Sequence, residues 1–128
     1  MDVQKIVQCL PRISRNLIIE GPGGLLVPIN NHQFVTDLIK ALNARVVLVT
    51  RNYLGSINHS LMTAHVCREN NLNVIGWIFN DQYLDYEEEI VHWSNISRIA
   101  SIPYSEQPNG IFINSQSALI SKHLKELL

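Results

Sequence analysis

The chain has 128 residues, 46% of them hydrophobic and 16% charged, with a formal net charge of -1. That is the size of one domain (1-128) able to bury a core, and the composition excludes a disordered chain. No Lys/Arg cluster marks nucleic acid or an anionic membrane as a partner, no apolar run approaches a membrane span, and residues 1–20 lack the pattern of a secretion signal, so a cytoplasmic protein is expected.

In chain order, Val3, Ile6, Val7 and Leu10 recur at helical spacing up to Pro11 and predict a short amphipathic helix leading into a first strand. Leu17, Ile18 and Ile19 read as that strand, buried and parallel, and it ends in Glu20 and the turn Gly21-Pro22-Gly23-Gly24. A carboxylate beside a core needs a metal ion, a cation or a wet cleft to offset its desolvation, although an ordinary strand-to-loop turn with a solvated Glu also fits. The glycines allow positive φ and let an anion approach the backbone. Asn30 or Asn31 is expected to cap a helix with Phe34, Val35, Leu38, Ile39 and Leu42 on one stripe, stopping at Asn43. Val46 to Val49 predict a strand buried on both faces. Ser56 is a good N-cap for a helix running to about Asn70.

Leu72 to Phe79 predict a third strand ending at Asn80-Asp81. Asp85 and Glu88 have capping-box spacing, so the acidic run from Asp85 to Glu89 reads as a solvated helix start rather than a calcium site, with Ile90, Trp93 and Ile96 turned inward. Ile99 to Ile102 predict a fourth strand, Pro103 to Gly110 a loop, and Ile113 to Leu128 a closing helix with Leu119, Leu124 and Leu127 on its face. Strands alternating with helices predict an α/β fold: a three-layer parallel sheet with flanking helices and right-handed crossovers.

Cys9 and Cys67 lack C-x-x-C pairing and are expected to be reduced, buried thiols, while the five histidines are scattered and read as structural. No G-x-S-x-G elbow supports a hydrolase, and no residue is marked as catalytic. The loops that follow the strands, Glu20 to Gly24, Arg51 to Asn58, Asn80-Asp81 and Pro103 to Asn109, share one edge of a parallel sheet. Together they offer what a nucleotide cleft requires: a carboxylate for Mg²⁺, backbone donors for an anion, an amide for a base edge, and a wall. Ser56 at a helix start could also hold a carboxylate or phosphate, or simply cap the helix.

The stretches Ile19-Glu20-Gly21-Pro22-Gly23-Gly24-Leu25-Leu26-Val27-Pro28, Leu54-Gly55-Ser56-Ile57-Asn58-His59, Gly76-Trp77-Ile78-Phe79-Asn80 and Ile102-Pro103-Tyr104 closely resemble the dethiobiotin synthetase family, in its order and near its spacing. The resemblance implies a partial P-loop NTPase-like (Rossmann-like) fold and an ATP- and Mg²⁺-dependent cyclo-ligase of biotin biosynthesis. In that reaction 7,8-diaminononanoate takes up CO₂ as a carbamate, ATP phosphorylates the carbamate, and the second amine displaces phosphate to close the ring. It also implies Glu20 as a Mg²⁺ ligand, and Gly21, Pro22 and Gly23 as the nucleotide and substrate turn. Asn80 would read adenine with Asp81 beside it, and Pro103, Tyr104, Ser105 and Asn109 would lie against the base. Gly55, Ser56 and Asn58 would receive the substrate carboxylate across a homodimer interface.

The family's G-x-x-x-x-G-K-[ST] loop has no counterpart here, because no glycine in the chain is followed by lysine. The chain therefore reads as the C-terminal half of a synthetase-like domain, active only with a P-loop-bearing half. The alternative is a non-catalytic remnant or dimerisation partner of a full-length synthetase. An amidotransferase-like P-loop ligase is opposed by the LG-x-INH stretch.

Overall fold

The computed structural model describes residues 1–81 and 84–127. The elements are α1 (Val3–Cys9), α2 (Val35–Ala41), β1 (Arg45–Thr50), α3 (Ser56–Glu69), β2 (Asn73–Asn80), α4 (Glu87–Ser94), β3 (Arg98–Ile102) and α5 (Gly110–Leu127). The three strands form one parallel sheet in the order β1-β2-β3. Helices α3 and α4 connect neighbouring strands, which is the α/β, Rossmann-like arrangement expected from the alternating pattern. Leu128, the last residue of the expected closing helix, lies outside the described residues.

One face of the sheet carries the core. Val46 and Leu48 of β1 and Trp77 and Phe79 of β2 pack with Ala64 and Cys67 of α3 and Ile90 of α4. The buried positions of α3 are Ser56, Ser60, Ala64 and Cys67, all small, so the helix backbone can sit close to the large rings of β2. Gly76 lies against the start of β3: an added Cβ would lie 2.5 Å from Ile99 Cγ1 and 2.8 Å from the Ser97 carbonyl oxygen. β2 and β3 shift register beside this point, and the Trp77 N–H donates to the Ser97 carbonyl at 2.8 Å. Helix α5 packs against β3, and α1 packs against α2.

Three helices end on an asparagine in the left-handed region: Asn43 after α2, Asn71 after α3 and Asn95 after α4. Asn and Gly adopt that conformation at lower cost than other residues, so the expected stops near Asn43 and at Asn70-Asn71 have a backbone cause.

Several local expectations are corrected. Leu17 to Glu20 form no strand; they are exposed, Ile18 by 93%, because no described strand pairs with them and an extended segment becomes a strand only when a neighbour takes up its backbone hydrogen bonds. β1 is covered on one face only, since Val49 is 65% exposed. The cap of α2 is Phe34, whose N–H donates to Asp37 Oδ2 at 2.7 Å, while Asn30 bonds His32, Gln33 and the Met1 carbonyl and ties α1 to this loop. Gly55, not Ser56, is the N-cap of α3.

Tyr86 caps α4 without a side-chain hydrogen bond, so the Asp85/Glu88 capping box does not form. Glu87 is buried rather than solvated: its Oε2 accepts from Arg98 Nη1 at 3.1 Å and from the Ser101 hydroxyl. Trp93 points to solvent, edge-on to His92, because one turn of α4 already buries Ile90 and Ser94 against the sheet. On α5, Leu119 and Leu127 are exposed and only Leu124 of the expected face is half-buried. Cys9 is exposed at the end of α1, while Cys67 is buried as expected.

Candidate functional site

Parallel register brings three loops to one edge. Thr50 stands beside Phe79, and Asn80 beside Ile102, so the chain leaves β1, β2 and β3 at the same end of the sheet. That edge holds Arg51 to Gly55, Asn80-Asp81 and Pro103 to Asn109, as the alternation of strands and helices implied.

After β1, the Thr50 hydroxyl lies 3.1 Å from the Ser60 hydroxyl and fixes the strand end to the second turn of α3. Gly55 has φ +99, a conformation that an L side chain rarely adopts, and turns the loop into the helix. The Ser56 N–H donates to the Tyr53 carbonyl at 2.9 Å, and the His59 N–H to the Gly55 carbonyl at 3.1 Å. Ser56 is fully buried and its hydroxyl has no partner among the described residues. Asn52, 1% exposed, also leaves both amide atoms unpartnered. Asn58 is exposed on the first turn of α3, with its amide 3.5 Å from Met62 Sδ. The Tyr53 hydroxyl bonds His59 Nδ1 at 2.5 Å, so this histidine has a polar partner at the mouth of the loop.

After β2, Asn80 presents an exposed side chain at the strand end. Asp81 has φ +64, and its N–H donates to the Ile102 carbonyl at 2.9 Å. Its Oδ2 lies 2.5 Å from Arg51 Nη2, whereas its Oδ1 is buried without a partner among the described residues. After β3, Pro103 and Tyr104 are exposed and Ser105 is half-buried. Asn109 caps α5: its Oδ1 accepts the Phe112 N–H at 3.0 Å and its carbonyl accepts the Ile113 N–H at 2.9 Å.

The glycine turn stands differently. Glu20, Gly21, Pro22 and Gly23 are exposed and follow no strand, so Glu20 is not carried to the edge by the sheet. Gly23 has φ +68, and the turn is tied instead to α2, where the Val35 N–H donates to the Val27 carbonyl at 3.0 Å and the Thr36 N–H to the Leu25 carbonyl at 3.1 Å. Among the described residues no group of three or more His, Cys, Asp or Glu side chains is placed to hold a metal ion. One carboxylate is a fitting contribution to Mg²⁺, which commonly takes one or two protein oxygens together with phosphate oxygens and water. No helix among the described residues is long and apolar enough to cross a membrane.

Sequence reasoning gave Arg51, the last residue of the family-like stretch Val46-Val47-Leu48-Val49-Thr50-Arg51, and Asn52 in the loop after it no role of their own. An arginine one residue past a strand end, with an aspartate one residue past the neighbouring strand, is a pairing signal that parallel register makes readable.

A family model described as an AAA domain matches residues 1–110. The chain is 47% identical to the ATP-dependent dethiobiotin synthetase of Cytophaga hutchinsonii over 83 residues, which cover 64% of this chain and 40% of that protein. It is 40% identical over 96 residues to the one of Lawsonia intracellularis, covering 74% and 47%. It is 33% identical over 108 residues to the one of Rhodopseudomonas palustris, covering 84% and 51%. The matched region thus spans between two-fifths and one-half of the length of these relatives. Those matches, over a parallel sheet with flanking helices of the P-loop NTPase-like class, mean that the chain belongs to the dethiobiotin synthetase family.

Proposed function

We propose that this chain supplies the nucleobase and substrate-carboxylate side of an ATP- and Mg²⁺-dependent dethiobiotin synthetase, whose substrates are 7,8-diaminononanoate and CO₂, and that it works with a P-loop-bearing segment. The observation that carries this reading is the shared edge: Asn80 at the end of β2 and the Gly55-Ser56 start of α3 lie on neighbouring parallel strand ends. In this role the Asn80 amide, one acceptor and two donors, pairs with the edge of adenine. The free N–H groups at the start of α3, with the helix dipole, receive the carboxylate of the diamine, and Asn58 borders it. Pro103, Tyr104 and Ser105 wall the base, with Asp81 beside it.

Glu20 would donate one oxygen to Mg²⁺, and Gly21 to Gly23 would border the nucleotide. The bound metal would offset charge on the phosphates as the carbamate is phosphorylated. The lysine of the G-x-x-x-x-G-K-[ST] loop is not found in these residues, since the sequence holds no Gly-Lys pair, so the reading assigns that phosphate contact to the P-loop-bearing segment. A homodimer in which α3 of one protomer serves the partner's site belongs to the same proposal.

Calorimetric titration of the chain with ADP, and separately with 7,8-diaminononanoate, tests it. Binding of both is expected, with Asn80→Ala weakening ADP alone and Asn58→Ala weakening the diamine alone. Absence of heat for both ligands would overturn the reading. For the metal, Glu20→Gln should abolish the gain in ATP affinity on adding Mg²⁺; an undiminished gain would remove Glu20 from the site.

The exposed apolar run Leu17 to Ile19, together with a β1 that has only one described neighbour in the sheet, favours a second reading. In it the chain is a non-catalytic partner that docks on a full-length synthetase. Co-sedimentation with such a synthetase without any ligand binding by the chain would favour it.

A further inference from the structure

We infer that Arg51 is a positioning residue, whose ion pair with Asp81 ties the loop after β1 to the turn after β2 so that each holds the other in place. The proposal deepens the function proposed above and rests on it for which ligand each loop faces.

Two features set this pair apart from an ordinary surface ion pair, which contributes little. The Asp81 side chain is only 14% exposed, and its Oδ1 is buried with no partner among the described residues, so among them Arg51 at Oδ2 is what balances the charge. Asp81 also sits at φ +64, a conformation that costs energy outside glycine and persists where surrounding contacts determine it. Those contacts are the Asp81 N–H on the Ile102 carbonyl and the Arg51 guanidinium. Losing the guanidinium would leave a largely buried carboxylate with no side-chain partner among the described residues, which gains by swinging out to water and shifting the Asp81 backbone with it.

Asp81 lies one residue from a group that the site uses, and Arg51 lies on the loop that leads to another. Asn80 precedes Asp81, and Asn52, buried with its amide unpartnered, follows Arg51 and leads to the Gly55-Ser56 helix start. Asn52 gives this loop no side-chain hydrogen bond to the described residues, and the Ser56 hydroxyl gives none either. Its position therefore depends on the Thr50–Ser60 contact, the Tyr53 hydroxyl on His59 Nδ1, the Ser56 N–H on the Tyr53 carbonyl, the His59 N–H on the Gly55 carbonyl, and Arg51, the one of these that reaches across to the neighbouring strand end. Arg51 would then set the start of α3 against the Asn80 side chain while touching neither bound molecule.

Amide hydrogen exchange on the ligand-free chain reads the tie directly, at the Asp81 N–H and at the Ser56 N–H on the opposite loop. Arg51→Gln and Asp81→Asn, which keeps a residue suited to positive φ, should each speed both by about threefold to tenfold. The double variant should exchange no faster than either single one, and Arg51→Lys should stay close to the original protein. ADP and 7,8-diaminononanoate should both bind more weakly in Arg51→Gln by similar factors, unlike the one-ligand effects of Asn80→Ala and Asn58→Ala. Unchanged exchange at Ser56 in Arg51→Gln, effects that multiply in the double variant, or a loss confined to one ligand would each overturn the proposal. If exchange behaves as expected and the chain binds neither ligand, the tie between the loops stands and the functional reading is what fails.

Discussion

Trp77 on β2 donates its indole N–H to the Ser94 hydroxyl on α4 at 3.0 Å, with both residues 1% exposed. Ser94 also accepts the Ile96 N–H at 3.3 Å, so one hydroxyl joins the central strand, the end of α4 and the lead into β3. Ser94→Ala leaves a buried indole donor without a partner and should lower stability by about 1–3 kcal/mol. Urea denaturation reads this, and the Trp77→Phe/Ser94→Ala double variant should lose less than the sum of the two single losses, because it removes donor and acceptor together.

The residues that made this architecture readable are those whose role is local. The unbroken apolar run at Val46 to Val49, rich in β-branched residues, and the stretch Leu72 to Phe79 predicted strands, and Asn43 and Asn71 marked helix ends through their tolerance of left-handed backbone. What failed depended on neighbours. Leu17 to Ile19 have the composition of a strand, yet strand formation is decided by a partner that sequence pattern cannot display. Glu87 looked like its acidic neighbours, but its burial is set by Arg98 and Ser101, which arrive from β3. For the site, register made the shared edge readable, and with it the placing of Arg51 opposite Asp81, whereas the Asn109 cap was hidden because it is side-chain geometry.

Gly76 is constrained by packing against β3. A methyl group there would meet Ile99 Cγ1 at 2.5 Å and the Ser97 carbonyl at 2.8 Å, and a backbone carbonyl cannot give way as a flexible side chain can. Gly76→Ala should cost about 1–3 kcal/mol and weaken β2–β3 pairing. Thermal denaturation checks the loss, and faster exchange of the Trp77 N–H, which donates to Ser97, locates it.

Burial pushes the Cys67 thiol up from 9.0 to about 11. The folded value lies above the unfolded one, so the stabilisation is fully present below about pH 9 and is lost as pH rises towards about pH 11. The loss should approach about 2 kcal/mol, and denaturation curves of Cys67→Ala should show a shallower decline across that range. In the native chain iodoacetamide should alkylate exposed Cys9 and spare Cys67 until the protein unfolds.

Arg98 holds two carboxylates of unequal standing. Its Nη1 lies 3.1 Å from Glu87 Oε2, whose side chain is 6% exposed, and 2.9 Å from Glu88 Oε1, whose side chain is 75% exposed. The hydrogen bond to Glu87 is the first cause that raises the Arg98 value above its ordinary range. Arg98→Ala strands the buried carboxylate and should cost about 1–3 kcal/mol, whereas Glu88→Ala should change stability by less than about 0.5 kcal/mol. Arg98→Ala/Glu87→Gln should recover part of the loss by removing the stranded charge, and chemical denaturation of the three variants measures it.

Asn109 separates a structural role from a ligand-facing one. Its side chain accepts the Phe112 N–H, and substituting such a cap removes a partner from an otherwise orphaned donor. Asn109→Ala should therefore lower the stability of α5 by about 1 kcal/mol, seen as faster amide exchange across its first turn. Asn109→Asp and Asn109→Ser keep a capping oxygen and should restore that protection. If ADP affinity stays constant across all three variants while Asn80→Ala lowers it, the base is read from β2 and Asn109 serves the helix. A parallel loss of ADP affinity in Asn109→Ser, with protection intact, would place Asn109 against the nucleotide as well.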